Sequence, residues 1–301
     1  MRITNKQIFL ISLQNVTRPA RRMLDNQVKI SSGKRINHFY DDPMGAGQVR
    51  QLRGEKADVV QFQRNISSGL NWMQMTEGAL DRLEKNLIRA KALAVQAANS
   101  SNGRSERQTI GKEMNQILED VLSIANSQFR SKYIFAGKNT TSQPFVEVRD
   151  KDGNISSITL ANDTSGKIQR DIDTGVKMQV NIPGSDIFNL KDGPFATLLD
   201  LRKSLENNDI DGINKALDQI ENVLDTSLNA RTLLGARMNR LESTRSLLQT
   251  HEVDLATQIS NIEDADIAET AMRLASDEVS YRAALGASSR ILQTSLVDLL
   301  T

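Results

Sequence analysis

Apolar residues at a strict seven-residue spacing constrain this chain more than any other feature of its sequence. The longest uninterrupted series consists of Leu52, Val59, Ile66, Met73, Leu80, Leu87 and Ala94. This spacing is typical of a coiled-coil-like helix seam, and it predicts one helix of roughly fifty residues, on the order of 75 Å long. A helix of this length is not an element of a compact domain, so we expect a long helical structure.

Similar series occur near both ends and in the second half of the chain. The first is Phe9, Val16, Met23 and Ile30, and the last is Leu285, Leu292 and Leu299 with Leu296 beside them. The series in the second half is Ile213, Ile220, Leu234, Leu241, Leu248, Leu255 and Ile262, with Ser227 as its single polar member. A further helix is expected over about 105–131. Pro19 is expected to kink or break the first helix, because proline lacks the backbone N–H.

Two segments do not follow the helical pattern. Three glycines and a proline predict a loop over residues 33–48. Between about 133 and 190, the segments 145–148, 155–160 and 176–182 alternate polar and apolar residues with a period of two, and turn residues separate them. These segments predict a small β-rich insert between helical arms.

The expected fold is therefore mainly α with a small β insert. It is an elongated antiparallel helical rod with coiled-coil-like termini and a β-rich middle domain. The predicted parts are an N-terminal assembly helix and loop (1–44), an outgoing rod part (45–135), the β-rich insert (136–194), a returning rod part (195–260) and a C-terminal assembly helix (261–301).

Charge is distributed unevenly between the two ends. Residues 1–56 contain eleven Lys and Arg against four Asp and Glu, whereas residues 251–301 contain three against nine. The ends are therefore electrostatically complementary. They are expected to lie side by side, within one subunit or between subunits, although solvated helix faces would also account for the charges.

Composition excludes several classes of function. The chain has no cysteine, which excludes a thiolate nucleophile, a cysteine-based zinc site and a disulfide framework. Its net charge of +1 does not favour nucleic-acid binding. Neither a secretory signal peptide nor an apolar run long enough to cross a membrane is recognised, so no membrane partner is expected.

No catalytic or cofactor-binding arrangement is recognised. The two histidines are His38 and His251, and the second is expected on a helix surface. His38 with Asp41 and Asp42 is a conceivable metal cluster, but a polar loop that hydrogen-bonds its own backbone is the favoured interpretation. We therefore expect no catalytic residues, no metal and no cofactor.

Three motifs, in the right order, resemble bacterial flagellins. Ser31-Ser-Gly-Lys-Arg-Ile-Asn, followed by Asp41-Asp42 and Gly45-Ala, resembles the amino-terminal signature of that family. Ala94-Val-Gln-Ala-Ala-Asn-Ser-Ser-Asn resembles its rod helix, and Ser260-Asn-Ile-Glu-Asp-Ala-Asp-Ile-Ala its carboxy-terminal signature. The resemblance covers about 1–140 and 210–301. The stretch from Asn126 to Thr140, which contains Tyr-Ile-Phe-Ala-Gly, is similar to the family members that join hook and filament.

The resemblance implies a non-enzymatic structural subunit at the hook–filament junction, which adapts the flexible hook to the filament. The implied partners are other copies of the chain, another hook-associated protein on the hook side, flagellin on the filament side and an export chaperone before secretion. The implied location is the extracellular flagellum, reached by type III export without a cleaved signal peptide.

The resemblance further implies chain ends that become ordered on assembly. The expected assembly residues are Phe9, Val16, Met23, Ile30, Ile262, Leu285, Leu292, Leu296 and Leu299.

Two alternatives remain at this point. A small flagellin would build the filament itself and would be present in thousands of copies. A cytosolic coiled-coil scaffold would have stably helical ends in the monomer.

Overall fold

The computed structural model of the protein describes residues 5–99, 103–151 and 153–300, and the side chains at positions 5, 8 and 291–300 lie outside that description. The helices are α1 (Asn5–Ser32), α2 (Pro43–Ala98), α3 (Arg104–Ala125), α4 (Gly184–Ile187), α5 (Pro194–Asn207), α6 (Ile210–Glu263) and α7 (Ile267–Leu300). The strands are β1 (Gln128–Phe129), β2 (Lys132–Tyr133), β3 (Phe145–Arg149), β4 (Ile155–Leu160), β5 (Gln169–Asp173) and β6 (Val176–Gln179). The predicted class, mainly α with a small β part in the middle of the chain, is confirmed.

The chain divides into two compact units. The terminal unit combines Met1–Asp58 with Thr250–Thr301, and the middle unit is Val59–Gln249. The long helices α2 and α6 contribute residues to both. The five-part division expected from the sequence stays a prediction.

The core of the middle unit follows the predicted seven-residue seams. Ile66, Met73, Leu80, Leu87 and Ala94 of α2 are completely buried, as are Ile213, Ile220, Leu234 and Leu241 of α6. Packing of such stripes stabilises a helix far more than its intrinsic propensity does. Ser227, the polar member of the α6 seam, is also buried.

The β part consists of three antiparallel hairpins in the described residues, β1–β2, β3–β4 and β5–β6. Its aromatic core brings Phe135, Phe145, Phe188 and Phe195 together, with ring centroids 5.0–5.5 Å apart. Burial of these rings and their mutual contacts hold β3 against α5 through Phe145 and Phe195.

Two expected helix boundaries are wrong. The loop predicted over 33–48 is shorter, because α2 begins at Pro43, where proline suits the first helical position. The helix predicted to end near residue 131 ends at Ala125. The residues after it form the β1–β2 hairpin, in whose turn Arg130 and Ser131 adopt left-handed φ values of 49° and 60°.

Pro19 does not break α1, which is continuous from Asn5 to Ser32. Proline removes one intrahelical hydrogen bond. Here the side chain of Pro19 is buried, so packing offsets that loss.

Candidate assembly interface

In the terminal unit, α1 and α7 pack side by side and run antiparallel. The least exposed face of α1 contains Ser12, Val16, Pro19, Met23, Asn26 and Ile30. The corresponding face of α7 contains Thr270, Leu274, Asp277, Tyr281, Ala284 and Ser288. Both series alternate steps of four and three, which is the spacing of a coiled-coil seam. The terminal unit is therefore built on a two-helix antiparallel coil.

A polar layer crosses this seam. The side-chain amide of Asn26 donates to Asp277 Oδ2 at 2.9 Å, and Arg22 Nε donates to Asp277 Oδ1 at 2.8 Å. Asn26 and Asp277 are both buried. The expectation that the basic start and the acidic end of the chain lie side by side is confirmed here within one subunit.

The segments that carry the two terminal sequence signatures pair directly with each other. Arg35 N–H donates to the Glu263 carbonyl at 2.7 Å, and Ala265 N–H donates to the Gly33 carbonyl at 2.9 Å. These bonds form an isolated antiparallel bridge between Lys34 and Asp264. The end of α1 is thereby held next to the start of α7.

Glu263 anchors this bridge. Its carboxylate accepts two hydrogen bonds from Arg53 Nη2, at 2.7 and 2.5 Å, and lies 3.0 Å from Lys34 Nζ. Only 8% of its side chain is exposed. A carboxylate buried to this extent needs such paired cations to offset its desolvation.

The loop between α1 and α2 uses its two aspartates to bind its own backbone. Asp41 accepts from the N–H groups of His38 and Asn37 at 2.8 and 2.9 Å. Asp42 accepts from Gly45 N–H at 2.9 Å and so caps α2. The pKa of each carboxyl lies below its ordinary value. The main cause is the hydrogen bond from the His38 N–H for Asp41 and from the Gly45 N–H for Asp42.

The aspartate contacts confirm the self-bonding interpretation of this loop. The described residues contain no group of three or more His, Cys, Asp and Glu arranged to hold a metal ion. A Cβ at Gly45, in the first turn of α2, would lie 2.6 Å from Asp42 Oδ2, so a larger residue there would displace the capping carboxylate.

Large apolar side chains are exposed on both helices of the coil. On α1 these are Phe9, Leu10, Ile11, Leu13, Leu24 and Val28, and on α7 they are Ile267, Met272, Val279 and Leu285. They lie beside or opposite the seam that joins α1 to α7. Exposed apolar side chains in such numbers on one pair of helices are typical of interaction sites.

The predicted assembly residues fall into three groups. Phe9 and Leu285 are exposed, at 51% and 43%. Val16, Met23, Ile30 and Ile262 are half-buried. The side chains of Leu292, Leu296 and Leu299 lie outside the described residues. Their common role in assembly stays a prediction.

Sequence reasoning missed Leu24, Val28, Met272 and Val279, which are 45–67% exposed. These four residues do not belong to the seven-residue series from which the assembly residues were predicted. A second apolar stripe on the same helix, displaced from the first, would have indicated them. Two stripes on one helix indicate two packing partners.

Within the described residues, no helix combines the length and hydropathy required for a membrane span.

Two models of one known protein family match the two flanks of the chain. The model of the bacterial flagellin N-terminal helical region matches residues 3–140, and that of the flagellin C-terminal helical region matches residues 210–300. These are the two regions in which the sequence resembled flagellins.

Similar proteins come from several bacteria. Phase 1 flagellin of Salmonella naestved is 29% identical over 206 residues, which span 68% of this chain but only 37% of that flagellin. The crystal structure of Bacillus cereus FlgL is 27% identical, with a TM-score of 0.56, and the match covers 70% of this chain and 99% of that one. The flagellar junction protein FlgL from Legionella pneumophila is 16% identical with a TM-score of 0.58, covering 72% and 99%. The last of these shows a shared fold.

The two family regions together include the paired signature segments, the coil of α1 and α7 and both long helices, α2 and α6. The chain belongs to the bacterial flagellin family.

Proposed function

We propose that this protein is a non-enzymatic structural subunit of a bacterial flagellum, and that it forms the junction between hook and filament. The observation that carries the proposal is the extent of the match to solved relatives. The match covers 99% of the Bacillus cereus FlgL chain, at 27% identity, whereas the Salmonella flagellin is matched over 37% of its length.

The terminal coil supplies the means of assembly. Its inner seam joins α1 to α7, and its outer apolar residues are free to pack on neighbouring subunits. Full burial of one such side chain contributes about 1.5–3 kcal/mol. Several of them would offset the cost of ordering chain ends that are unformed before assembly.

The proposed interface combines the residues expected from the sequence with the exposed ones. It includes Phe9, Leu24, Val28, Met272, Val279 and Leu285. Leu292, Leu296 and Leu299 extend it toward the C-terminus. Changing Leu292 and Leu299 to Asp should leave the middle unit folded and block incorporation into flagella.

The partners follow from this position in the flagellum. They are other copies of the chain, another hook-associated protein toward the hook and flagellin toward the filament. An export chaperone would hold the chain before secretion. The site of action is extracellular.

Deletion of the gene tests the proposal. Cells without the protein should keep hooks, lose motility and release flagellin monomers into the medium. Complementation with the intact gene is the control. Normal filaments in the deletion strain would overturn the proposal.

A small flagellin is the second candidate, because the family match and the 29% identity to a flagellin also favour it. Copy number separates the two. Quantitative mass spectrometry of purified flagella should find few copies per flagellum for a junction protein, whereas thousands of copies would establish a filament subunit.

A further inference from the structure

The middle unit contains a pocket that the assembly role does not use. It has a volume of about 360 Å³ and is lined by residues of α2, of β2 and the loop after it, and of β5 and the segment before it, together with Val180 after β6. A volume of this order lies in the range of small-ligand sites.

Four cations line the pocket without any carboxylate: Lys132, Lys138, Lys167 and Arg170. None of them forms an ion pair within the described part of the chain. Other exposed lysines of the described chain do have acidic partners, as Lys91 has Glu221 and Lys85 has Asp81. The clustered cations repel one another, and an anionic ligand would relieve that repulsion.

The walls that carry these cations are fixed by buried contacts. Asn181, which is completely buried, accepts from Ile168 N–H at 2.7 Å and donates to the Gly166 carbonyl at 2.9 Å. Gly166 lies so close to the neighbouring wall that a Cβ would approach Lys138 N to 2.7 Å. This approach brings Lys138 and Lys167 to the same pocket. A preformed site binds a ligand with little cost in ordering.

Part of the lining is aromatic and apolar. Trp72 lines the pocket beside Val180, and its ring packs edge-on against Phe129 with centroids 6.2 Å apart. An indole ring offers a large apolar face, which suits the C–H face of a sugar.

Hydroxyl and amide groups complete the lining. Ser68, Thr140 and Gln169 each supply groups that both donate and accept hydrogen bonds. Such groups match sugar hydroxyls, and the cations match a carboxylate or sulfate on the same sugar.

We propose that this pocket binds an anionic saccharide, a sugar that carries a carboxylate or sulfate. The choice of a saccharide rests partly on the proposed function, because an extracellular flagellar subunit meets the acidic polysaccharides of cell surfaces. The binding site itself lies wholly in the middle unit and does not depend on assembly.

The only tryptophan of the chain lies in this pocket, so its fluorescence reports on the site. The full-length purified chain is titrated with hyaluronan tetrasaccharide, which carries carboxylates, and with a sulfated heparin disaccharide. Neutral maltotetraose, inorganic sulfate and polyglutamate are titrated in parallel. At least one anionic saccharide should change the emission of Trp72, and its apparent affinity should fall as salt is added.

Variants of two lining lysines test whether the change in Trp72 emission comes from binding in this pocket. The double changes Lys138→Glu with Lys167→Glu, and Lys138→Gln with Lys167→Gln, should weaken binding, the first by about tenfold or more, since each reversal replaces an attraction with a repulsion. Lys151→Glu, at an exposed position outside the pocket, is the matched control and should leave binding unchanged.

Several results would overturn the proposal. These are no response to either anionic saccharide, an equal response in the folded Lys138/Lys167 variants, or equal affinity for maltotetraose or free sulfate. Binding of polyglutamate alone would assign the pocket to an acidic protein segment instead. Motility and flagellin retention, which test the junction role, are scored separately, so failure of one proposal is distinguishable from failure of the other.

Discussion

Asn26 of α1 donates its side-chain amide to the carboxylate of Asp277 on α7 at 2.9 Å, and both residues are buried in the seam between the helices. Polar pairs at seam positions are a known means of fixing the register and orientation of coiled helices, at some cost in stability. The seam of the terminal coil otherwise contains Val16, Met23, Ile30 and Leu274, which would pack almost as well in a shifted register.

Replacing one member of this pair should destabilise the coil more than replacing both. Asp277→Leu leaves the Asn26 amide buried and unsatisfied, which costs about 1–3 kcal/mol. The double variant, Asn26→Leu with Asp277→Leu, should recover most of that loss. Because the chain ends are proposed to become ordered on assembly, immunoblots of purified flagella measure the effect, as lower incorporation of the single variant than of the double one. If the loss in the double variant equalled the sum of the losses in the Asn26→Leu and Asp277→Leu single variants, the two residues would not be directly coupled.

The helices and their buried faces could be predicted because helix geometry alone sets their period. A side chain every seven residues on α2 or α6 returns to the same face, whatever it packs against. Leu80 and Leu241 are completely buried for this reason. The boundaries could not be predicted equally well, because caps set them. Asp42 caps α2 through Gly45 N–H, and two glycines just inside that helix resembled a loop.

The candidate site was harder to predict than the fold. The sequence indicates apolar stripes on α1 but not which one faces α7 and which one remains outside. The pairing of Arg53 with Glu263 joins residues far apart in the chain, so it follows from tertiary structure alone. The β1–β2 hairpin was missed because its turn, Arg130-Ser131, lacks the usual Asn-Gly signal.

One exposed leucine and one exposed valine on α1 allow a test of whether the exposed face of this helix is an assembly interface. Leu24 and Val28 are 56% and 45% exposed, so Leu24→Asp with Val28→Asp should leave the pairing of α1 with α7 largely intact. Incorporation into flagella should be lost, because charges would be buried against the neighbouring subunit. Immunoblots of purified flagella measure incorporation, and secreted protein in the medium measures export.

The matched control for this test is Gln27→Asp, which adds a charge at an exposed polar position between the two. It should incorporate normally. Incorporation of the Leu24/Val28 variant at the wild-type level would place the assembly interface elsewhere.

Acid should loosen the start of α2. The pKa of the Asp42 carboxyl is lowered from 3.8, chiefly by the hydrogen bond from Gly45 N–H. A group whose pKa is depressed on folding contributes stability above its unfolded pKa, and that stability is lost as the pH falls through the folded pKa. Exchange of the Gly45 amide, corrected for its intrinsic pH dependence, should therefore lose protection below about pH 4.

Asp42→Asn is the control for this titration. Asparagine also caps helices but does not ionise in this range. Its Gly45 amide should show protection that changes little with pH. A wild-type protection profile that stayed flat to well below pH 3.8 would exclude Asp42 as the titrating group.

Arg107 supplies hydrogen-bond donors to carbonyls at the C-terminal end of α2. Arg107 is 4% exposed, and its guanidinium donates to the Ala97 carbonyl at 2.8 Å, to the Asn99 carbonyl at 3.3 Å and to Asn208 Oδ1 at 2.5 Å. Carbonyls at a helix C-terminus need such donors. The fixed fork of arginine reaches three acceptors in different directions, and a lysine ammonium cannot reproduce that geometry.

Arg107→Lys should therefore lower the free energy of unfolding by about 2 kcal/mol, from lost hydrogen bonds to a charged group and carbonyls left unsatisfied. Urea denaturation of the purified chain, followed by the fluorescence of Trp72 in the same unit, measures the change. Arg104→Lys, at an exposed position one turn earlier in α3, should change stability by less than about 0.5 kcal/mol. Equal midpoints for the two variants would mean that water satisfies the α2 carbonyls as well as Arg107 does.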